Sequence, residues 1–290
     1  MKIKIITDST CNLSPEQVKK YDIEVIPCYT VIDGNDILDD GSIPQSEFYD
    51  MIDNSKKSQT SLPTPSSIWK AIEKHQDYDH LIMIHVGEKL SGTINAIRSV
   101  IKQFKRKNPE CPGITVYDSN GVSLVAGYLV MIAKQLVDQG VEVDLIIKEL
   151  DENRDNDIKV FLTVSDLKKL FEGGRIGRAT YMLGDLLHAY PVLSLVDGTL
   201  VPVGREIGFE RTIGKIIRLI QEFYNEGDEI HISFAQTRPN ERNEHFRNKI
   251  VHMEKLRITK IEDFLIGNII ACHTGTQVFG LVIARNFRDD

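Results

Sequence analysis

Lys2-Ile3-Lys4-Ile5-Ile6-Thr7-Asp8-Ser9-Thr10 carries an apolar, β-branched segment straight into a cassette of small hydroxyl residues. The passage recurs twice, where Leu81-Ile82-Met83-Ile84 precedes Ser91-Gly92-Thr93 and where Ile114-Thr115-Val116 precedes Asp118-Ser119. In parallel α/β sheets the carboxyl ends of the strands line one edge, where helix N-termini offer unpaired N–H groups and a positive dipole end. The repeat therefore places a binding site at a sheet edge suited to an oxyanion.

Strand and helix signals alternate through the first 150 residues or so, as expected of a parallel sheet covered by helices. Ser14-Pro15-Glu16-Gln17 combines an N-cap serine, a proline at the first helical position and a reciprocal glutamine, so a helix starts there. Val25-Ile26 and Tyr29 to Ile32 follow as extended chain. Thr64-Pro65 repeats the cap-plus-proline device, with Ile68, Trp69 and Ile72 as an apolar stripe, which puts Thr60-Ser61 in the loop entering that helix. Ile94, Ile97, Ile101 and Phe104 repeat at helical spacing after Ser91-Gly92-Thr93, and Val122, Val125, Leu129, Ile132 and Leu136 do so after Asp118-Ser119.

The most polar stretch, Asp151-Glu152-Asn153-Arg154-Asp155-Asn156-Asp157, predicts the passage to a second domain. Beyond it the pattern changes. Two apolar runs flank Asp197-Gly198, a strong hairpin signal. Ile213, Ile216, Ile217, Ile220 and Phe223 form a helical stripe, Ile230 to Phe234 reads as a strand, and Leu281-Val282-Ile283 as the last strand. A mixed α+β domain fits this half.

With 35 basic and 42 acidic side chains the formal charge is −7, which argues against a general affinity for nucleic acid or anionic membranes. Cys11, Cys28, Cys111 and Cys272 lie far apart and form no C-x-x-C pair, so reduced thiols are expected. No signal-peptide pattern precedes the first strand, and no apolar run approaches the roughly 20 residues that span a bilayer. A cytoplasmic protein without integral membrane contact is expected. The histidines other than His273, His188 among them, show no zinc-type spacing, so no metal site is predicted. No phosphate-binding loop, dinucleotide fingerprint or kinase signature occurs, and no cofactor is predicted.

Seven landmarks stand in a specific order: Thr7-Asp8-Ser9-Thr10, Thr60-Ser61-Leu62-Pro63, Leu90-Ser91-Gly92-Thr93, Asp118-Ser119, Gly173-Gly174-Arg175-Ile176, Asp197-Gly198 through Arg205, and His273-Thr274-Gly275. On these the chain resembles, over essentially its whole length, the DegV family of bacterial fatty-acid-binding proteins, among them the carrier subunits of fatty acid kinase. The resemblance implies a two-domain α/β fold. Residues 1–153 would form an N-terminal parallel α/β/α domain with the ligand loops, and residues 154–290 a C-terminal mixed-sheet domain closing the lipid pocket. It further implies a fatty acid in an apolar tunnel, its carboxylate held by Thr60, Ser61, Ser91, Gly92 and Thr93, with His273 and Thr274 at the pocket mouth. Arg175 and Arg205 would lie near the entrance and receive a kinase subunit or the acyl phosphate. The sequence departs from the family at Leu62, where glutamine is usual, and at Thr276, where proline is usual; both bear on ligand preference.

The chemistry of that implication is sound. Hydroxyls and backbone N–H groups can satisfy the acceptor sites of a carboxylate without a salt bridge. Each residue also has a plainer use. Ser91-Gly92-Thr93 would serve as a helix N-cap, Thr60-Ser61 as a turn with one side chain facing outward, and Gly173-Gly174 as a helix C-cap. Asp8-Ser9 and Asp118-Ser119 are expected to satisfy loop N–H groups and shape the crevice.

The function expected is that of a non-catalytic carrier presenting a long-chain fatty acid to a separate ATP-binding kinase subunit. A serine- and histidine-dependent hydrolase or transferase, using Ser9, Ser91 or Ser119 with His273, is the alternative enzyme class. A lipid-responsive regulatory or storage protein is the third.

Overall fold

A computed structural model describes residues 1–165, 167–177, 189–253 and 256–287; His188 lies outside the described residues. The first strand, β1 (Ile3–Asp8), is buried throughout, and its Asp8 caps a short 3-10 turn at Ser9–Cys11. Helix α1 (Pro15–Lys20) begins with the capping box read from Ser14 and Gln17. It leads to β2 (Glu24–Ile26), which pairs in parallel with β1. Strands β6 (His80–His85) and β7 (Gly113–Asp118) complete an all-parallel sheet in the order β2-β1-β6-β7. Its order reverses between β1 and β6, the position where open α/β sheets hold their ligands.

Helices α3 (Pro65–Lys74) and α4 (Thr93–Lys107) cover one face of this sheet, burying Ile68, Ile72, Ile97 and Phe104 against Ile6 and Met83. Helices α5 (Leu124–Asp138) and α6 (Val143–Asn156) cover the other, through Leu129, Met131, Ile146 and Leu150. The seven-residue polar stretch 151–157 is the last turn and C-cap of α6, so position 153 falls within a helix. Within it Arg154 pairs with Asp151 and Asp155, while Asp157 is bound by Arg285 at 2.7 Å.

The second half builds a six-stranded mixed sheet in the order β10-β9-β8-β13-β11-β12. Its strands are β8 (Ile158–Val164), β9 (Ala189–Val196), β10 (Thr199–Ile207), β11 (Glu229–Gln236), β12 (Arg257–Leu265) and β13 (Val278–Arg285). Asp197 and Gly198 both have positive φ, 47° and 72°, the geometry of the tight turn predicted for them. After β8 comes the short α7 (Lys168–Glu172). Helices α8 (Phe209–Phe223) and α9 (Glu241–Val251) pack on one face of the sheet through Ile216, Ile220 and Phe246. Helix α5 packs against the other: Val282, Ala284 and Phe287 share its core, and the Tyr128 hydroxyl meets Ser233 Oγ at 2.7 Å. One helical layer thus serves two sheets.

The sequence reading had no counterpart for a third element group. Tyr29–Ile32 is β3 of a three-stranded antiparallel sheet, order β4-β3-β5, and not a member of the parallel sheet. Strand β4 is Asn35–Leu38, and β5 is Ser58–Ser61, so Thr60-Ser61 are strand residues and not the loop expected. Helix α2 (Gln45–Asn54) buries Phe48, Tyr49 and Ile52 against Ala271 and Cys272 of α10 (Asn268–Thr274). That partner is more than 200 residues away, which is why local periodicity did not reveal it. Among the described residues no helix is long and apolar enough to cross a membrane.

Candidate functional site

The parallel sheet presents the carboxyl ends of β1 and β6 to the six-stranded sheet, and the two ends are tied together. His85 Nδ1 meets Asp8 Oδ2 at 2.8 Å, and the Val86 N–H donates to the same oxygen at 3.3 Å. The other Asp8 oxygen accepts from the Thr10 N–H at 3.0 Å and from its hydroxyl. Burial opposes charge on Asp8, but these donors outweigh it and hold the carboxyl below its usual range. At the end of β7, Asp118 accepts from the Asn120 N–H at 2.8 Å.

Between this edge and the six-stranded sheet lies a cavity of about 280 Å³. Val160 and Leu162 of β8 and Val282 of β13 form its floor, Ile269 and Ile270 of α10 one wall, and Leu195 and Leu200 of the β9–β10 hairpin another. The polar lining concentrates in Thr60, Ser61, Ser91, Thr93, His273 and Thr274, six of the residues singled out from sequence. They come from three separate segments.

His273 Nε2 lies 2.9 Å from Thr60 Oγ1, linking α10 to β5. Ser91 Oγ lies 2.9 Å from Thr93 Oγ1 and accepts from the Thr93 N–H at 3.3 Å, so Ser91, one residue before the N-cap of α4, binds the first helical N–H while lining the cavity. Gly92 is the backbone N-cap of α4 and sits beside Leu62, not on the cavity lining itself. Thr274 is turned back, donating to the Ile270 carbonyl at 3.0 Å. Ser61 is exposed and Thr60 partly buried, so the pair divides its faces as a strand requires.

Burial and then the positive charge of Arg175 push His273 down to about 4, so it is neutral at pH 7. Arg175 is the only formally charged side chain among the described lining residues; none of them is acidic. Its guanidinium donates to the carbonyl oxygens of Leu90, at 3.1 Å, and Gly173. Burial alone lowers its pKa. The cavity therefore holds an uncompensated positive charge beside donor hydroxyls, a setting for an anion.

The two glycines before Arg175 serve different ends. Gly174, at φ +71°, closes α7 by a Schellman arrangement in which the Arg175 N–H donates to Leu170 O and the Gly174 N–H to Phe171 O, both at 2.9 Å. Gly173 has ordinary helical φ, but a Cβ there would stand 2.8 Å from His273 Nδ1. Gly173→Ala is expected to push the imidazole off Thr60 and cost about 1–2 kcal/mol. Gly174→Ala, with nothing within 4 Å of its Cβ, should cost a similar amount from backbone strain and leave His273 in place. The His273 ring resonances in NMR spectra of the two variants would check this, since only Gly173→Ala should move them.

Helix α10 is held at the end opposite His273. Asn12 Nδ2 donates to Leu265 O at 3.0 Å, its Oδ1 accepts from the Gly267 N–H, and the Tyr49 hydroxyl donates to Ile266 O. Thr276, one of the departures from the family pattern, donates to Asp53 Oδ1, which also receives Arg238 through its other oxygen at 3.0 Å. Leu62, the other departure, is 38% exposed at the cavity rim. Arg205 lies exposed on β10 and is not among the lining residues. The serine–histidine pairing considered from sequence has no counterpart in these hydrogen bonds. Ser9 Oγ accepts from the Cys28 N–H, Ser119 Oγ is engaged with Gly121, and the His273 ring faces Thr60.

Sequence reasoning did not identify Thr10, Cys28 and Ser123 as lining residues, nor Asp39 as a buried carboxyl outside the lining. Ser9 and Asn268 donate to Asp39, yet burial raises its pKa to about 6. Asp39 precedes no recognisable motif, and only folding brings β4, the β1 turn and α10 around it.

A model described as the DegV family of uncharacterised proteins matches residues 2–286. A DegV domain-containing protein of Staphylococcus aureus is 30% identical over 290 residues, covering 97% of this chain and 98% of that protein. Among solved structures, the fatty-acid-binding DegV family protein of Thermus thermophilus matches with a TM-score of 0.89 at 26% identity, over 98% of this chain and 100% of that one. A protein of Thermotoga maritima, described as revealing a fatty acid binding function, matches with a TM-score of 0.84 at 25% identity, over 98% and 99%. Matched by the family model over nearly its whole length and similar in fold from end to end, the chain belongs to the DegV family.

Proposed function

We propose that the protein binds a long-chain fatty acid in the cavity between its sheets and presents the carboxyl group to a separate ATP-dependent kinase subunit. One observation carries the first half: an apolar cavity whose polar lining gathers hydroxyls, a neutral histidine and a single arginine, with no carboxylate among the described lining residues. A fatty acid has the matching halves. Burying each methylene is worth about 0.8 kcal/mol, so the tail would supply most of the affinity and the hydroxyls the register. The relatives from Thermus and Thermotoga, described as fatty acid binding, support the same assignment.

The second half rests on chemistry the chain lacks. Its sequence holds no phosphate-binding glycine loop, so phosphorylating a bound carboxylate would require an ATP-binding partner. Exposed Ser61 and Leu62 put the head-group end within reach of one. On this reading Arg175 steadies the carboxylate and then the acyl phosphate, and the protein works in the cytoplasm without a cofactor of its own.

Native mass spectrometry of the purified protein, followed by denaturing extraction, tests the binding. A stoichiometric fatty acid is expected, and loss of at least about tenfold in affinity when Ser91→Ala is combined with Ser61→Ala, as two charge-assisted hydrogen bonds disappear. A protein that is empty and refuses added fatty acids would overturn the proposal. Mixing the loaded protein with ATP and a fatty acid kinase subunit should yield acyl phosphate, and neither component alone should.

A further inference from the structure

Ser119-Asn120-Gly121-Val122-Ser123 joins β7 to α5, and Ser123 stands where a serine ordinarily caps a helix. Ser14 does so at α1, with extended backbone at φ −69° and its hydroxyl on the Gln17 N–H. Ser123 does not. Its φ is 58° and its ψ −145°, a conformation that glycine adopts and a β-carbon resists, and its side chain makes no cap bond. This strained backbone is held from both sides: the Ser123 N–H donates to Thr10 O at 2.9 Å, and the Gly127 N–H donates to Ser123 O at 3.0 Å.

Ser123 lines the apolar cavity. The other hydroxyls inside that lining are engaged: Thr10 donates to Asp8, Thr60 faces His273, Ser91 and Thr93 face each other, and Thr274 donates to Ile270 O. Ser61 is exposed at the rim and faces solvent. Among the described residues, Ser123 is thus the one partly buried lining hydroxyl without a hydrogen-bond partner.

It also stands apart from the head-group donors. Ser91 and Thr93 lie at the start of α4, on one face of the parallel sheet, and Arg175 donates to Leu90 O beside them. Ser123 precedes α5, on the other face. The next residue, Leu124, packs in one cluster with Val282, and Val160 lies against the same cluster; both valines belong to the cavity floor. A carboxyl group held at Ser91 and His273 therefore sends its tail over that floor and past Ser123. A plain alkyl chain there would bury the Ser123 hydroxyl unpaired, at a cost in free energy, whereas a chain carrying an oxygen at that depth would satisfy it.

We propose that Ser123 selects acyl chains with an in-chain oxygen, as in hydroxy- and oxo-fatty acids, by hydrogen bonding to that oxygen. This rests on the fatty-acid reading of the cavity. The test is the affinity of the delipidated protein for stearic acid and for a set of monohydroxy- and mono-oxostearic acids in which the oxygen is moved along the chain. The parent protein should bind the acid whose oxygen meets Ser123 roughly fivefold more tightly than stearic acid, the worth of one hydrogen bond. Ser123→Ala should reverse that order, weakening the oxygenated acid and strengthening stearic acid, a crossing that a purely structural serine would not produce. Ser123→Gly, which suits the positive φ, carries the test if the alanine variant does not fold. Stearic acid bound at least as tightly as every oxygenated acid, or a preference that survives in both variants, would overturn the role of Ser123 and leave the fatty-acid assignment standing. If the parent protein bound no acid of the set, both would fall.

Discussion

Gly280→Ala is expected to lower the unfolding free energy by about 3 kcal/mol or more. Gly280 lies in β13, a central strand flanked by β8 and β11, and is paired with Leu162 on one side and Ala235 on the other. A Cβ at this position would stand 2.5 Å from Phe161 O and 2.8 Å from Leu162 Cα. Both are backbone atoms of the neighbouring strand, so no side-chain rotation can relieve the overlap, and the sheet must spread locally. Interiors this densely packed do not absorb such a change at one point. Leu162, Leu281 and Val282 all line the cavity, so the same distortion should loosen ligand binding. Urea unfolding of the parent and the variant checks the stability. A variant with an unchanged midpoint would show that the strands are further apart than these distances state.

Acid should act on two buried groups in opposite directions, and single variants should separate them. His273 titrates near 4 in the folded protein, and a histidine in the unfolded chain near 6.5. Its folded pKa is depressed, so the unfolded chain takes up the proton first. Its neutral state favours folding above about pH 6.5, and that contribution drains away as the pH falls toward 4. Asp39 is the reverse: its folded pKa is raised to about 6 from 3.8, so the folded state holds the proton more tightly and gains stability as the pH falls through that window. Each shift of about two units corresponds to roughly 3 kcal/mol, and the two nearly cancel. His80, lowered by burial and by Lys105, adds to the His273 side.

Relative to the parent protein, His273→Gln should gain about 2–3 kcal/mol of stability between pH 7 and pH 4.5. Asp39→Asn should lose about 2 kcal/mol over the same interval. Comparing each variant with the parent at both pH values removes the background of other carboxylates, including Asp8, whose depressed pKa takes effect at lower pH. Denaturant midpoints of the delipidated proteins supply the four differences. Parallel pH profiles for all three proteins would mean that neither group is desolvated to the extent described.

Much of the architecture was legible because it is written locally. Ser14 with Gln17, and Thr64 with Pro65, start helices by bonds made within one turn, and those helices begin where the caps stand. The Asp197-Gly198 turn is set by two residues tolerant of positive φ. The elements that escaped notice are stabilised by partners remote in the chain. Helix α2 and the sheet that holds Thr60 bury their apolar faces against α10, and no short-range pattern records that. Thr60 was read as a loop residue for the same reason: the residues opposite it, Thr30 on β3 and His273 on α10, are far away in sequence.

For the site, the division is similar. The sequence alone determined that small hydroxyl residues follow buried strands, that a double glycine precedes an arginine, and that these motifs in order belong to the DegV family, because such motifs depend on neighbouring residues and survive as short words. Only the tertiary structure decided that Thr60 faces His273, that Gly173 is small to admit the imidazole, and that Arg175 reaches the cavity while Arg205 does not. Burial, charge and the space left for a tail are properties of surfaces assembled from many segments, and they exist only once the two sheets have closed on the helical layer between them.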